Sequence, residues 1–117
     1  MRKVLVVEDE VLIRLTLVDA LLAAGFDVVE AGSADEAADI IDEQTIHLLF
    51  TDIQLPGTMT GVDLAHAVAR RFPDAGIIVA SGRLTPGANE LPSGAEFLPK
   101  PYRFEEIVTR LSAMSHL

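Results

Sequence analysis

The stretch "HLLFTDIQLPG", residues 47 to 57, sets Leu48, Leu49 and Phe50 just before Asp52 and then breaks at Pro56-Gly57. A short apolar run bounded by a turn signal reads as a strand buried on both faces, the kind found in parallel sheets. Ending such a strand on a carboxylate calls for a reason, since a lone aspartate there could simply open the turn.

Working outward, the same kind of run recurs at "KVLVV" (3–7), "DVVEA" (27–31), "GIIVAS" (76–81) and "AEFLP" (95–99). Helical sequence lies between. "VLIRLTLVDALLAA" (11–24) is rich in Leu and Ala and is closed by Gly25 in the C′ position. Ser33-Ala34-Asp35-Glu36 has the S-x-x-E spacing of a capping box ahead of a helix to about Glu43. Val62 to Phe72 and "RFEEIVTRLSAM" (103–114) complete the series. Strands alternating with helices predict an α/β fold of three layers, a five-stranded parallel sheet with helices on both faces. Between Ser81 and Ala95, "GRLTPGANELPSG" holds two prolines and three glycines, which limits a fourth helix there to a short or irregular one.

At 117 residues the chain is sized for one domain, 1–117. Half of its residues are hydrophobic, yet no apolar run approaches the roughly 20 residues that cross a bilayer. No signal-peptide pattern follows Met1, so a cytoplasmic protein without a membrane partner is expected. The absence of cysteine excludes disulfides, thiolate catalysis and Cys-ligated zinc. Nine basic against eighteen acidic residues, a net charge of −9, repel nucleic acid phosphate and disfavour direct DNA reading.

In an open parallel sheet the carboxyl ends of the strands share one edge, and ligands bind there. The first strand ends in Glu8-Asp9, the third in Asp52, the fourth in Ser81 and the fifth in Lys100 followed by Pro101. Singly, each has a plain role: Asp9 as a helix cap, Asp52 and Ser81 as loop residues, Lys100 as a solvated charge. Together they form a set. Two like charges about 4 Å apart repel by roughly 4 kcal/mol at an effective dielectric near 20, so gathered acids need a cation or a proton. Hard oxygen donors in small number suit Mg²⁺ with a phosphate. Asp52 is then placed as a nucleophile toward a phosphoryl group, with Mg²⁺, Lys100 and the Ser81 hydroxyl on the phosphoryl oxygens.

The set "VEDE", "TDIQLPG", "VASG" and "FLPKPY" resembles the receiver domain of bacterial response regulators in two-component signalling, over essentially the whole chain. The resemblance implies a doubly wound, flavodoxin-like sheet of order 2-1-3-4-5. It implies that Asp52 accepts phosphate from a phosphohistidine on a histidine kinase or phosphotransfer protein. Asp9, Asp52 and the Gln54 carbonyl would hold Mg²⁺, with Glu8 reaching it through water. Ser81 and Phe97 would be the switch pair, and Lys100-Pro101 a cis peptide. The loop "IQLPGTMTG" is one residue longer than the usual form, and Phe97 stands where some relatives have tyrosine.

The first helix carries two apolar stripes. By the resemblance, Ile13, Leu17, Ala20 and Ala24 pack inward, leaving Val11, Leu15, Val18 and Leu22 as a surface on which a kinase's helical hairpin docks. His47, His66 and His116 are not expected to bind metal, and Tyr102 and Arg103 are expected to start the last helix. Other readings carry less. A haloacid dehalogenase-type phosphatase needs Asp-x-Asp where this chain has Asp52-Ile53-Gln54, and a flavin binder needs a phosphate cradle where it has Glu8-Asp9-Glu10. A receiver-like interaction module that is never phosphorylated, or a receiver cut from a hybrid kinase, are the remaining alternatives. The start at Met1 favours a stand-alone receiver acting through protein contacts or as a phosphate sink.

Overall fold

Alternation along the strands divides the core into two halves, one on each side of the sheet. The computed structural model describes residues 2–83, 86–87 and 90–115. Strands β1 (Lys3–Val7), β2 (Asp27–Ala31), β3 (Leu48–Asp52), β4 (Gly76–Ser81) and β5 (Glu96–Pro99) lie in the order β2-β1-β3-β4-β5. Every pairing is parallel. Val4, Val6, Leu48, Phe50, Ile78, Ala80 and Leu98 point to one side, against Leu17, Val18 and Leu21 of α1 (Val11–Ala23) and Ile107 and Leu111 of α4 (Phe104–Met114). Leu5, Val7, Leu49, Ile77 and Val79 point to the other, against Ala34, Ala37 and Ile41 of α2 (Ala34–Glu43) and Leu64, Ala65 and Val68 of α3 (Gly61–Arg71). The period of two thus gives each strand two buried faces, which is why these strands read as unbroken apolar runs.

The helix ends follow the local chemistry. Gly25 takes φ 94° directly after the α1 C-cap, Ala24, a conformation that glycine adopts without a Cβ penalty. The Ser33 hydroxyl accepts the Glu36 N–H at 3.1 Å, and the Glu36 carboxylate accepts the Gly32 N–H at 2.8 Å. Helix α3 opens on a capping box between Thr60 and Asp63.

Three expectations need adjustment. The last helix starts at Phe104 with Arg103 as its N-cap, so Tyr102 stands outside it. Among the described residues between β4 and β5 there is no helix; Leu84, Thr85, Ala88 and Asn89, on which part of that expectation fell, lie outside the described residues. On α1, Val18 is a core residue, only 8% exposed, and not part of an outer stripe. Leu17, Val18 and Leu21 sit at i, i+1 and i+4 and face the sheet together. Leu12, nine residues from Leu21 and therefore about 180° round the helix, is the most exposed large apolar side chain among the described residues, at 81%. Val11, Leu15 and Leu22 are exposed with it, while Ala24 of the expected inner stripe is exposed as well. Because α1 is apolar nearly all round, its sequence period could not choose the inward face. No helix among the described residues is long and apolar enough to cross a membrane.

Where α3 begins, the backbone leaves no room. A Cβ on Gly61 would collide with the Asp52 carbonyl oxygen, and the Gly61 N–H donates to the Ile53 carbonyl at 2.8 Å. Replacing Gly61 with alanine is expected to lower unfolding stability by about 1–3 kcal/mol, the usual cost of overpacking against backbone. Urea denaturation of Gly61→Ala beside the parent chain measures it.

Candidate functional site

Register and parity together build the crevice at the carboxyl edge. Asp52 pairs with Ala80 and Ser81 with Pro99, so the ends of β3, β4 and β5 come level. Glu8 continues the parity of Val4 and Val6, Asp52 that of Leu48 and Phe50, and Lys100 that of Leu98. All of these side chains emerge on the α1/α4 side of the sheet. Lys100 Nζ stands 3.0 Å from Asp52 Oδ2 and 3.6 Å from Glu8 Oε1. Glu8, Asp9 and Asp52 each place a carboxylate oxygen within 4.8 Å of the others.

The charges are unevenly solvated. Glu8 is fully buried and Asp52 is 6% exposed, whereas Asp9 is open to solvent. Glu8 has no freedom to retreat, because its N–H donates to the Ala31 carbonyl at 3.1 Å and its carbonyl accepts Arg14 Nη1 at 2.7 Å. Arg14 is itself held by Glu30 at 2.9 Å. Both side-chain oxygens of Glu8 lack a hydrogen-bond partner among the described residues. Burial, reinforced by the charge on Asp52 and only partly opposed by Lys100, pushes the Glu8 carboxyl up from 4.5 to about 7. Burial pulls the Lys100 ammonium down, but its bond to Asp52 and the charges of Asp52 and Glu8 outweigh that and hold it above the usual lysine value. Beneath the crevice, Tyr102 packs edge-on to Phe50 at 5.6 Å and to Phe104 at 6.0 Å. Burial first, then these carboxylates, push its phenol well above the usual tyrosine value.

The other residues singled out in the sequence lie around this centre. Ser81 is buried; its hydroxyl accepts the Arg83 N–H at 3.2 Å, and its carbonyl accepts the Lys100 N–H at 3.0 Å. Gln54 is exposed in the loop just after Asp52. Phe97, opposite Val79 on β4, is half-buried against the α2/α3 half of the core. The Lys100-Pro101 bond is cis. The α1 N-cap is Glu10, without a side-chain cap bond, so Asp9 is not spent on capping. His47 Nδ1 accepts the Lys3 N–H and His66 Nε2 meets the Glu90 carbonyl, and neither joins the acid cluster. The sequence reading missed Arg14, whose only signal was its isolation in an apolar helix.

The donor set fits a small hard divalent cation. Three carboxylates against one ammonium leave two negative charges in excess when all are ionised, and the buried Glu8 oxygens have unused lone pairs.

The chain matches the family model of the response regulator receiver domain over residues 4–112 and belongs to that family, the receivers of two-component systems. It is 31% identical to the response regulator receiver protein CpdR of Brucella abortus over 117 residues, 97% of each chain. It is 34% identical to the sensor kinase CckA of the same organism, covering 95% of this chain but only 12% of that protein. Among solved structures, the response regulator TrrA of Thermotoga maritima in complex with Mg(2+)-BeF superposes with a TM-score of 0.81 at 25% identity, over 97% of this chain and 99% of that one. Members of the family bind Mg²⁺ at an acidic cluster of this kind, and accepting a phosphoryl group is their general role.

The raised Glu8 carboxyl has a consequence for stability. In the unfolded chain the group ionises near 4.5 and in the metal-free fold near 7, so its contribution is full below 4.5 and is lost as pH rises through about 7. The loss is on the order of a few kcal/mol. Thermal unfolding in EDTA is expected to show Glu8→Gln gaining on the parent chain from about pH 5 to about pH 8. A constant gap would show that Glu8 does not titrate there.

Proposed function

We propose that this receiver takes a phosphoryl group on Asp52 from a phosphohistidine of a histidine kinase or phosphotransfer protein, in the cytoplasm. The observation that supports it most is the convergence of Glu8, Asp9 and Lys100 on the one carboxylate, Asp52, that ends the central strand. An Asp52 oxygen forms the new P–O bond as the P–N bond to the donor imidazole breaks, and the electron pair leaves on that nitrogen. Lys100, already 3.0 Å from Asp52, supplies a fixed positive charge to the transferred group. Asp9 and Asp52, the Gln54 carbonyl and, through water, Glu8 would hold Mg²⁺, which supplies the charge that balances the phosphoryl oxygens. TrrA, whose structure holds Mg(2+)-BeF, lends weight to this assignment.

The Ser81 hydroxyl, released from the Arg83 amide, would turn to a phosphoryl oxygen, and Phe97 would follow inward as the second half of the switch. Val11, Leu12, Leu15 and Leu22 present an exposed apolar face on the helix that follows the acid pair, suited to a helical partner. The domain is an acceptor that catalyses its own phosphorylation and dephosphorylation, not a turnover enzyme. CpdR, matched over 97% of its length, and the sensor kinase CckA, matched over 12%, illustrate the two settings for such a domain: alone, or joined to a longer protein.

Incubation with Mg²⁺ and a small acyl phosphate tests the reading. One base-labile phosphoryl group per chain is expected, absent in Asp52→Asn and after EDTA treatment, and slowed in Lys100→Gln by about 100-fold or more. Rapid turnover of the acyl phosphate would indicate a phosphatase instead, and no labelling an interaction module.

A further inference from the structure

Between β3 and α3 the chain makes a closed loop. Its base is shut by the Gly61 N–H on the Ile53 carbonyl at 2.8 Å, and Leu55 and Met59 pack their side chains against the α2/α3 half of the core. Its tip is held from outside, by a residue that the acid crevice does not use. Asp35, in the first turn of α2, accepts the Thr58 N–H on Oδ2 at 3.0 Å and the Thr58 hydroxyl on Oδ1 at 2.7 Å. Both carboxylate oxygens therefore serve one residue of another element. The turn is shaped to admit them: Gly57 has φ 99°, and a Cβ there would collide with Asp35 Oδ2. These bonds, the Thr58 hydroxyl foremost, hold the Asp35 carboxyl below its ordinary value.

We propose that Asp35 is a positioning residue, clamping the tip of the loop after Asp52 through Thr58 and so fixing the path of Gln54 beside the metal centre. The inference rests on the reading of Asp52 and its neighbours as a Mg²⁺ site. A loop of this length, free at its tip, samples many paths, and ordering it on metal uptake costs conformational entropy. The clamp removes that cost beforehand. It also ties α2 directly to the acceptor loop. A role confined to α2 is the competing account, because an acid in a first helical turn favours the helix by itself. Thr58 separates the two, since changing it leaves α2 untouched.

The test compares the full chain with Asp35→Ala, Thr58→Val, Thr58→Ser and the double variant Asp35→Ala/Thr58→Val. Two measurements are made: amide hydrogen exchange over residues 54–60 without metal, and Mg²⁺ affinity by calorimetry. The clamp predicts faster exchange and Mg²⁺ binding weakened by about tenfold in Asp35→Ala, the scale seen when a supporting partner of a metal ligand is lost. Thr58→Val moves the same way by less, Thr58→Ser keeps both donors and stays at the parent values, and the double variant is no worse than Asp35→Ala. The inference is overturned if Asp35→Ala binds Mg²⁺ within about twofold of the parent chain, if Thr58→Val changes neither measurement, or if the two substitutions add. Should the parent chain itself take up no Mg²⁺, the metal reading fails and the inference with it. A loss confined to the variants leaves that reading standing.

Discussion

Glu8 and Asp52 emerge from neighbouring strands on the same side of the sheet with one ammonium between them, and the rest of the site answers to that placement. Strand register forces the two carboxylates together, and the Arg14 and Ala31 bonds keep the Glu8 backbone from relaxing away. A buried acid with two unsatisfied oxygens is costly, and folding tolerates it because two well-packed core halves offset the cost. The site is accordingly a place of stored electrostatic frustration, relieved by a proton on Glu8 or by a cation among the oxygens. A doubly charged ion is favoured over a single proton because it answers Asp9 and Asp52 as well as Glu8.

Much of the architecture was legible in the sequence. The strands are apolar because both faces are covered, so their limits fell within a residue of those observed, and the residues ending them marked the crevice. Helix α2 announced itself by the capping spacing of Ser33 to Glu36, which the side-chain bonds at its start reproduce. Helix α3 was expected from Val62 and begins at Gly61; its capping box went unread because it uses Asp63 in place of Glu or Gln. The facing of α1 was hidden for a different reason. With apolar residues on nearly every side, only packing against the sheet and α4 decides that Val18 goes inward and Leu12 outward. The Asp35–Thr58 pairing spans 23 positions between an element end and a loop, and no local pattern encodes a contact of that kind.

The division of labour between the two core halves bears on how such a domain could change state. Glu8, Asp52 and Lys100 belong by parity to the α1/α4 side, whereas Phe97 belongs to the α2/α3 side. Ser81 stands at the end of β4, where its hydroxyl meets a loop amide, so it sits at the junction of the two. The Asp35 contact gives α2 a second link to the crevice that does not pass through the sheet.

The bond from the Lys100 amide to the Ser81 carbonyl splices the tip of β5 to the tip of β4. Lys100 thus carries two tethers: its ammonium is anchored on the acids and its backbone on the neighbouring strand. Since β5 is the outermost strand on its side, the hold of that ammonium on the acids also pins the tip of an edge strand, so the end of the sheet is fastened from the crevice as well as along the ladder.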